Sequence, residues 1–111
     1  MDKKSEIKFT VTLDENNIPE EISWDADGMG IKDKKAKALL ISLWDSDEND
    51  MLKVDLWTKD MYSEEMKFFI HRSLMLMADT YEKATSESEI AKEMREFGRI
   101  FAEKNGLIKK S

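Results

Sequence analysis

Hydrophobic and polar residues alternate in the first quarter of the chain, and this pattern predicts a β-hairpin. From Ile7 to Leu13 the odd positions are apolar and the even positions polar, as in a strand with one buried face and one wet face. Asp14 to Asn17 are turn residues, and a second strand follows from about Ile18 to Trp24. Pro19 near its start suits an edge strand. The predicted pairs are Leu13 with Ile18, Phe9 with Ile22, and Ile7 with Trp24.

The rest of the chain is organised around a second hairpin between Ala38 and Thr58. Two strand-like segments flank the acidic turn from Asp45 to Asp50. The predicted cross-strand pairs are Leu43 with Leu52, Ile41 with Val54, and Leu39 with Leu56. These six residues form an aliphatic face, because side chains alternate with period two. The opposite face carries Ala38, Leu40, Ser42, Trp44, Met51, Lys53, Asp55 and Trp57.

The segment between the two hairpins, from Asp25 to Lys35, is polar and contains Gly28 and Gly30. Glycine and charged residues in this density are typical of a loop. We therefore expect an irregular, mobile connection here.

After Thr58 the period of the pattern changes from two to between three and four, which predicts helices. Ser63 is a candidate N-cap for a helix from about Glu64 to Ala84. Its apolar stripe contains Met66, Phe69, Ile70, Leu74, Met77, Ala78 and Tyr81. Ser86 and Glu89 have the spacing of a capping box that would begin a second helix. The predicted buried stripe of this helix is Ile90, Met94, Phe97 and Phe101, and Gly106 is placed to end it as a left-handed cap.

These elements predict an α+β fold. Each strand and each helix has one apolar face, and the simplest arrangement that buries all of them has two layers. We expect one four-stranded antiparallel sheet, made of the two hairpins, with both C-terminal helices packed on one of its faces. The length of 111 residues is that of a single domain covering 1–111.

Composition narrows the classes of function. The chain has no cysteine, so disulfide scaffolds, thiolate metal sites and cysteine nucleophiles are excluded. The net charge of −6 disfavours binding to nucleic acid and to anionic membrane surfaces. No stretch approaches the roughly 20 apolar residues of a membrane-spanning helix, and the N-terminus lacks the apolar core of a signal peptide. We expect an intracellular protein without membrane insertion.

Candidate chemistry is sparse. His71, the single histidine, has no neighbour on its predicted helix that could serve as a catalytic partner, which favours a surface or boundary residue. The acidic run at Asp45, Asp47 and Asn49 fits the first positions of a calcium-binding loop, but Asp50 replaces the required glycine and Leu56 the glutamate. A solvated turn is favoured, and weak binding of a divalent cation is left open. We predict no catalytic residue, no metal site and no cofactor.

The two tryptophans of the second hairpin are more informative. Trp44 and Trp57 fall on the face opposite the aliphatic one, so helices covering the aliphatic side would leave them exposed. Exposed aromatic patches mark interfaces, and tryptophan is common among the residues that dominate binding energy. Cover by a loop or by the N-terminal segment is the alternative. The predicted partner-contact residues are Trp44, Trp57, Leu40, Met51 and Asp55.

Several segments of the chain, in order, resemble the gliding motility-associated GldC family of Bacteroidota. They are Ser5-Glu6-Ile7-Lys8-Phe9, Ser42-Leu43-Trp44-Asp45, Asp55-Leu56-Trp57-Thr58-Lys59, Glu65-Met66, Met77-Ala78-Asp79-Thr80, Ala84-Thr85, Met94-Arg95-Glu96-Phe97 and Phe101-Ala102-Glu103-Lys104. The chain departs from the family pattern in two turns, where Ser46 and Tyr62 stand in place of proline.

The resemblance implies a cytoplasmic accessory protein of the gliding machinery, which is allied to a protein-secretion system, and it carries over no catalytic residue. We therefore expect a non-catalytic adaptor or stabilising partner that binds another protein through Trp44 and Trp57. The alternative is a secretion-chaperone-like protein that binds a client segment as a homodimer.

Overall fold

The computed structural model describes residues 3–109, and the chain divides into two compact units on either side of the Met61–Tyr62 bond. The first unit contains β1 (Ile7–Leu13), β2 (Pro19–Ala26), β3 (Ile31–Ala36), β4 (Ala38–Asp45) and β5 (Asp50–Trp57). The second contains α1 (Ser63–Thr85) and α2 (Ser88–Lys104). The α+β class and the two C-terminal helices are confirmed.

The strands form two antiparallel sheets, so the prediction of one four-stranded sheet is wrong. β1, β2 and β3 make a three-stranded sheet in that order, and β4 pairs with β5 in a two-stranded sheet. The difference arises at β3, which lies in the segment predicted to be a mobile loop. After a 3₁₀ turn at Asp27–Met29 and the left-handed Gly30 (φ 64°), the chain pairs with β2 as an edge strand. Its lysines interrupt the alternation of apolar and polar residues that would predict a strand. Lysine is nevertheless suited to an exposed edge strand.

The predicted register of the first hairpin is wrong by two residues. Phe9 pairs with Trp24 and Val11 with Ile22, because a β-bulge follows Thr12 and the turn is one residue longer than predicted. The rings of Phe9 and Trp24 stack with centroids 5.8 Å apart. Since β2 is the central strand, the edge-strand interpretation of Pro19 also fails; proline is accommodated here as the first residue of the strand.

The register of the second hairpin is confirmed at every predicted pair. Leu39 lies opposite Leu56, Ile41 opposite Val54, and Leu43 opposite Leu52. Backbone hydrogen bonds at its base bind the residues after β5 to the rest of the first unit: Thr58 N–H donates to Lys37 O (2.8 Å) and Lys59 N–H to Pro19 O (3.1 Å). Buried side chains of the first unit are Ile22, Ala26, Leu39 and Thr58.

The helix boundaries agree with the predictions to within two residues, but two of the predicted caps are wrong. Tyr62, not Ser63, precedes the first turn of α1, and its N–H donates to Glu65 Oε1 (2.9 Å). Ser86 is in the left-handed conformation (φ 60°) and ends α1 instead of starting α2. Gly106 (φ 70°) does end α2, with Gly106 N–H donating to Glu103 O and Leu107 N–H to Ala102 O in a Schellman motif.

The predicted buried stripe of α2 is wrong at two positions. Ile90 and Phe97 are exposed, Phe97 by 56 %, whereas the fully covered residues of α2 are small: Ala91, Gly98 and Ala102. Met75 of α1 lies so close to Gly98 that a methyl group there would sit 2.5 Å from its Sδ atom. Arg95 also reaches α1, donating to Asp79 and Glu82 at 2.8 Å each. The helices therefore approach closely over small side chains.

A candidate protein-binding surface

The turn between β4 and β5 is built by its own acidic side chains. Asp45 Oδ2 accepts a hydrogen bond from the Glu48 N–H (2.8 Å), and the Asp45 carbonyl accepts one from the Asn49 N–H (3.1 Å). Asn49 adopts a positive φ of 52°, which asparagine tolerates better than most residues. Asp45 is thus occupied in holding the turn. Within residues 3–109, no group of three or more histidine, aspartate or glutamate side chains is placed to hold a metal ion.

The hairpin presents the predicted contact residues Leu40, Trp44, Met51, Asp55 and Trp57 on one face, which we call the tryptophan face. Trp44 is 65 % and Trp57 53 % exposed. Trp44 lies opposite Met51 at the turn end, and Trp57 lies opposite Ala38 at the base. The tryptophans are separated by six residue steps, roughly 20 Å along the strands.

The tryptophan face is therefore two apolar clusters with a polar centre. Trp44 and Met51 form one cluster, while Leu40 and Trp57 are diagonal neighbours in the other. Ser42 and Lys53 lie between them, and Lys53 Nζ is 3.7 Å from Asp55 Oδ2. All five predicted residues share this face, but one copy of the chain does not bring the tryptophans into contact with each other.

The aliphatic face of the hairpin is not buried along its whole length, contrary to expectation. Leu39 at the base is buried, but Leu43 and Leu52 at the turn end are 56 % and 58 % exposed, and Val54 is exposed as well. Both faces of the turn end are consequently apolar and open. An isolated two-stranded hairpin is marginally stable in water, so cover of either face by another molecule would stabilise this end of the hairpin.

A cavity of about 270 Å³ borders the base of the tryptophan face; it is lined by Ile18, Pro19, Asp55, Leu56, Trp57 and Lys59. Lys59 Nζ lies 3.1 Å from both Glu20 and Asp14, and these hydrogen bonds, that of Glu20 first, raise the pKa of the Lys59 ammonium above 10.5. The ion pairs fix the position of Lys59 at the cavity rim. Sequence reasoning missed this cavity, because Ile18 and Trp57 are far apart along the chain.

The second unit has an apolar groove of its own, of about 510 Å³, which sequence reasoning also missed. Its lining residues are Phe68, His71, Arg72, Met75, Leu76, Leu107 and Ile108. His71 stacks on Phe101 with ring centroids 6.5 Å apart. The histidine thus contributes to packing between helix α1 and helix α2, and its ring borders a largely hydrophobic surface.

Comparison with known proteins gives one result. A family model described as gliding motility-associated protein GldC-like matches residues 19–107. No curated protein and no solved structure matches the chain. The matched range contains β2 to β5 and both helices, and with them every residue of the tryptophan face.

Proposed function

The chain belongs to the family of gliding motility-associated, GldC-like proteins, and from this premise we propose that it is a non-catalytic accessory protein of gliding, acting as an adaptor or stabilising partner. The observation that carries the proposal is the tryptophan face, where Trp44 and Trp57 are both more than half exposed. Tryptophan contributes disproportionately to binding energy, because it removes a large rigid surface from water.

The side chains of the tryptophan face indicate what kind of partner surface would fit it. Apolar side chains stand at both ends and the Lys53–Asp55 pair at the centre. A matching surface would have two apolar sites roughly 20 Å apart with polar groups between them. The net charge of −6 favours a protein partner over nucleic acid. Within the described part of the chain, neither helix is long and apolar enough to cross a membrane. We further propose a cytoplasmic location, which the family resemblance implies.

A secretion-chaperone-like function is the second candidate, and the groove of the second unit supports it. Phe68, Leu76 and Ile108 are exposed along the groove. An apolar groove of this kind suits an amphipathic client segment. This function requires substitutions in the groove to affect binding more than substitutions on the tryptophan face.

The two functions are separated by affinity capture from native cells with three hairpin variants and the groove variant Leu76→Ala. Trp44→Ala and Trp57→Ala remove the two ends of the tryptophan face, and Leu43→Ala is the matched control, since Leu43 is equally exposed on the opposite face. A tryptophan that dominates the binding energy of an interface typically contributes about 2 kcal/mol or more, so we expect roughly a thirtyfold loss of the partner in each tryptophan variant. The control should keep it.

Circular dichroism must first show that all four variants fold like the parent. Retention of the same partners by both tryptophan variants would refute docking through this face. Loss on Leu76→Ala in the groove, with the tryptophan variants unaffected, would favour the chaperone-like function instead.

A further inference from the structure

The outer edge of β5 is the most accessible strand edge of the second hairpin. Within residues 3–109, β4 and β5 form ladder pairs only with each other, so each has one edge without a strand partner. Ile18 and Pro19 border the base of β5 at Leu56 and Trp57, and the open part of its edge runs from Asp50 to Asp55. From Asp50 to Asp55 every residue of β5 is exposed, whereas Leu39 of β4 is buried. An exposed, unpaired edge with apolar side chains on both faces is a template for another strand.

The sequence of β5 is chemically symmetrical about Val54. Lysine precedes it and aspartate follows it, leucine lies two positions away on each side, and Met51 and Trp57 lie three positions away. We propose that β5 pairs antiparallel with β5 of a second copy, with Val54 opposite itself on a two-fold axis. Leu52 then faces Leu56, Lys53 faces Asp55, and Met51 faces Trp57, each from the opposite copy.

Charge fixes this register. Only shifts of two residues keep the tryptophan and aliphatic faces on the same sides of the combined sheet. A shift in one direction would place Lys53 opposite Lys53, and in the other direction Asp55 opposite Asp55. Like charges directly opposite are destabilising, whereas the proposed register contains two Lys53–Asp55 pairs between the copies. The interface is therefore self-complementary, as two-fold symmetry requires.

Pairing between the two copies also extends both faces of the hairpin. The two hairpins become one four-stranded sheet, which is past the size at which an antiparallel sheet is marginal. The Met51 side chain of one copy arrives beside Trp57 and the 270 Å³ cavity of the other. Trp44 and Met51 of one copy thereby join Trp57 of the other in a continuous row. The two apolar clusters, separated within one chain, become adjacent in the dimer.

Disulfide trapping tests the axis directly, since the chain has no cysteine. Directly opposite residues on antiparallel strands have Cα atoms roughly 4.5 to 5.5 Å apart, within the range of a disulfide. Under mild oxidation we expect Val54→Cys to form a covalent dimer. The matched control, Met51→Cys, is exposed on the same strand but would lie roughly 20 Å from its equivalent in the second copy.

Ile41→Cys, at the centre of β4, tests the competing edge. Cross-linking of Val54→Cys no faster than that of Met51→Cys would overturn the proposal. So would faster cross-linking of Ile41→Cys.

Charge reversal tests the register in solution. Lys53→Asp creates two pairs of facing aspartates in the dimer, because residue 53 of each copy lies opposite Asp55 of the other. We expect the dimer dissociation constant from analytical ultracentrifugation to rise about tenfold. Asp55→Lys should act alike, and the double variant Lys53→Asp/Asp55→Lys should restore dimerisation. A monomeric parent protein, or a double variant no better than the single ones, would refute the pairing. Both tests use the purified protein alone, so their failure would leave the proposed gliding function untouched.

Discussion

Single residues with unusual backbone angles determine where several elements end. Asn17 (φ 62°) and Asn49 (φ 52°) lie in the two hairpin turns, and Ser86 (φ 60°) ends α1. Asparagine enters this region at low cost because its side chain hydrogen-bonds locally. Serine does so less readily, and the capping-box spacing of Ser86 and Glu89 predicted an N-cap here instead. One side chain can thus decide whether a helix starts or stops.

Asp14 is the side chain that organises the first hairpin turn, and its contribution to stability depends on pH. Its Oδ1 accepts hydrogen bonds from the N–H groups of Ile18 (3.0 Å) and Asn16 (2.8 Å), and Oδ2 lies 3.1 Å from Lys59 Nζ. These contacts, that of Ile18 first, hold the pKa of Asp14 below its ordinary 3.8. The unfolded chain therefore binds the proton more readily, so the stabilisation is complete above pH 3.8 and is lost as the pH falls through the folded-state pKa.

We expect Asp14→Asn to lower the melting temperature at neutral pH and to approach the parent protein in acid. The measurement is thermal unfolding by circular dichroism at neutral pH and at successive values below pH 3.8. Asp47→Asn, in the turn of the other hairpin, is the charge-matched control. A difference between Asp14→Asn and the parent that stays constant over the whole pH range would contradict this role.

Among the secondary-structure elements, helix α2 shows a clear difference between the large apolar residues that were predicted to be buried and the residues that are buried. The residues of α2 that are buried are alanine and glycine, and Phe97 is left exposed. Small side chains allow two helix backbones to approach, and the larger Met75 then covers the gap at Gly98. The contact depends on the absence of a side chain at this position.

Gly98→Val is expected to destabilise the helical unit by about 1–3 kcal/mol, because it places branched bulk where Met75 already lies. Met75→Ala alone should also destabilise, since it removes apolar contacts. The two substitutions together should cost less than their sum, because the valine would fill the space left by the methionine. Chemical denaturation of the four proteins measures the coupling, and strict additivity would show that Gly98 and Met75 do not share this contact.

At the scale of the whole molecule, solubility depends on a balance between a negative net charge and a large exposed apolar surface. Large hydrophobic residues are exposed on both faces of the second hairpin and on both helices. The net charge of −6 opposes non-specific association at neutral pH, and the sequence pI is about 4.9. Solubility should therefore be lowest where the charge vanishes.

Light scattering against pH tests this balance. We expect scattering to rise as the pH approaches 4.9 and to fall again below it. Added salt at neutral pH should also increase association, because it screens the repulsion between the acidic molecules. Scattering that is flat through the isoelectric point would mean that the exposed apolar surface is already protected.

How far the sequence predicts the fold differs from element to element. In the second hairpin, aliphatic residues occupy alternate positions on both strands. The register is therefore constrained by the pattern of each strand. The first hairpin contains a bulge, which local sequence does not reveal, and β3 has only Ile31 and Ala36 as apolar residues. For the candidate site, the parity of Trp44 and Trp57 was predictable, whereas the cavity beside Pro19 joins residues from distant elements.

The two-residue link between α1 and α2 has a consequence for the groove of the second unit. Ser86 and Glu87 alone separate the helices, and Ser86 N–H is bonded to Glu82 O at 2.8 Å. Such a short connection leaves the helices little freedom to swing apart, while the Leu107–Ala102 hydrogen bond holds the C-terminal segment that lines the groove. A ligand would bind to a groove whose lining residues are already in position. Recognition there should select for shape, with little structural rearrangement on binding.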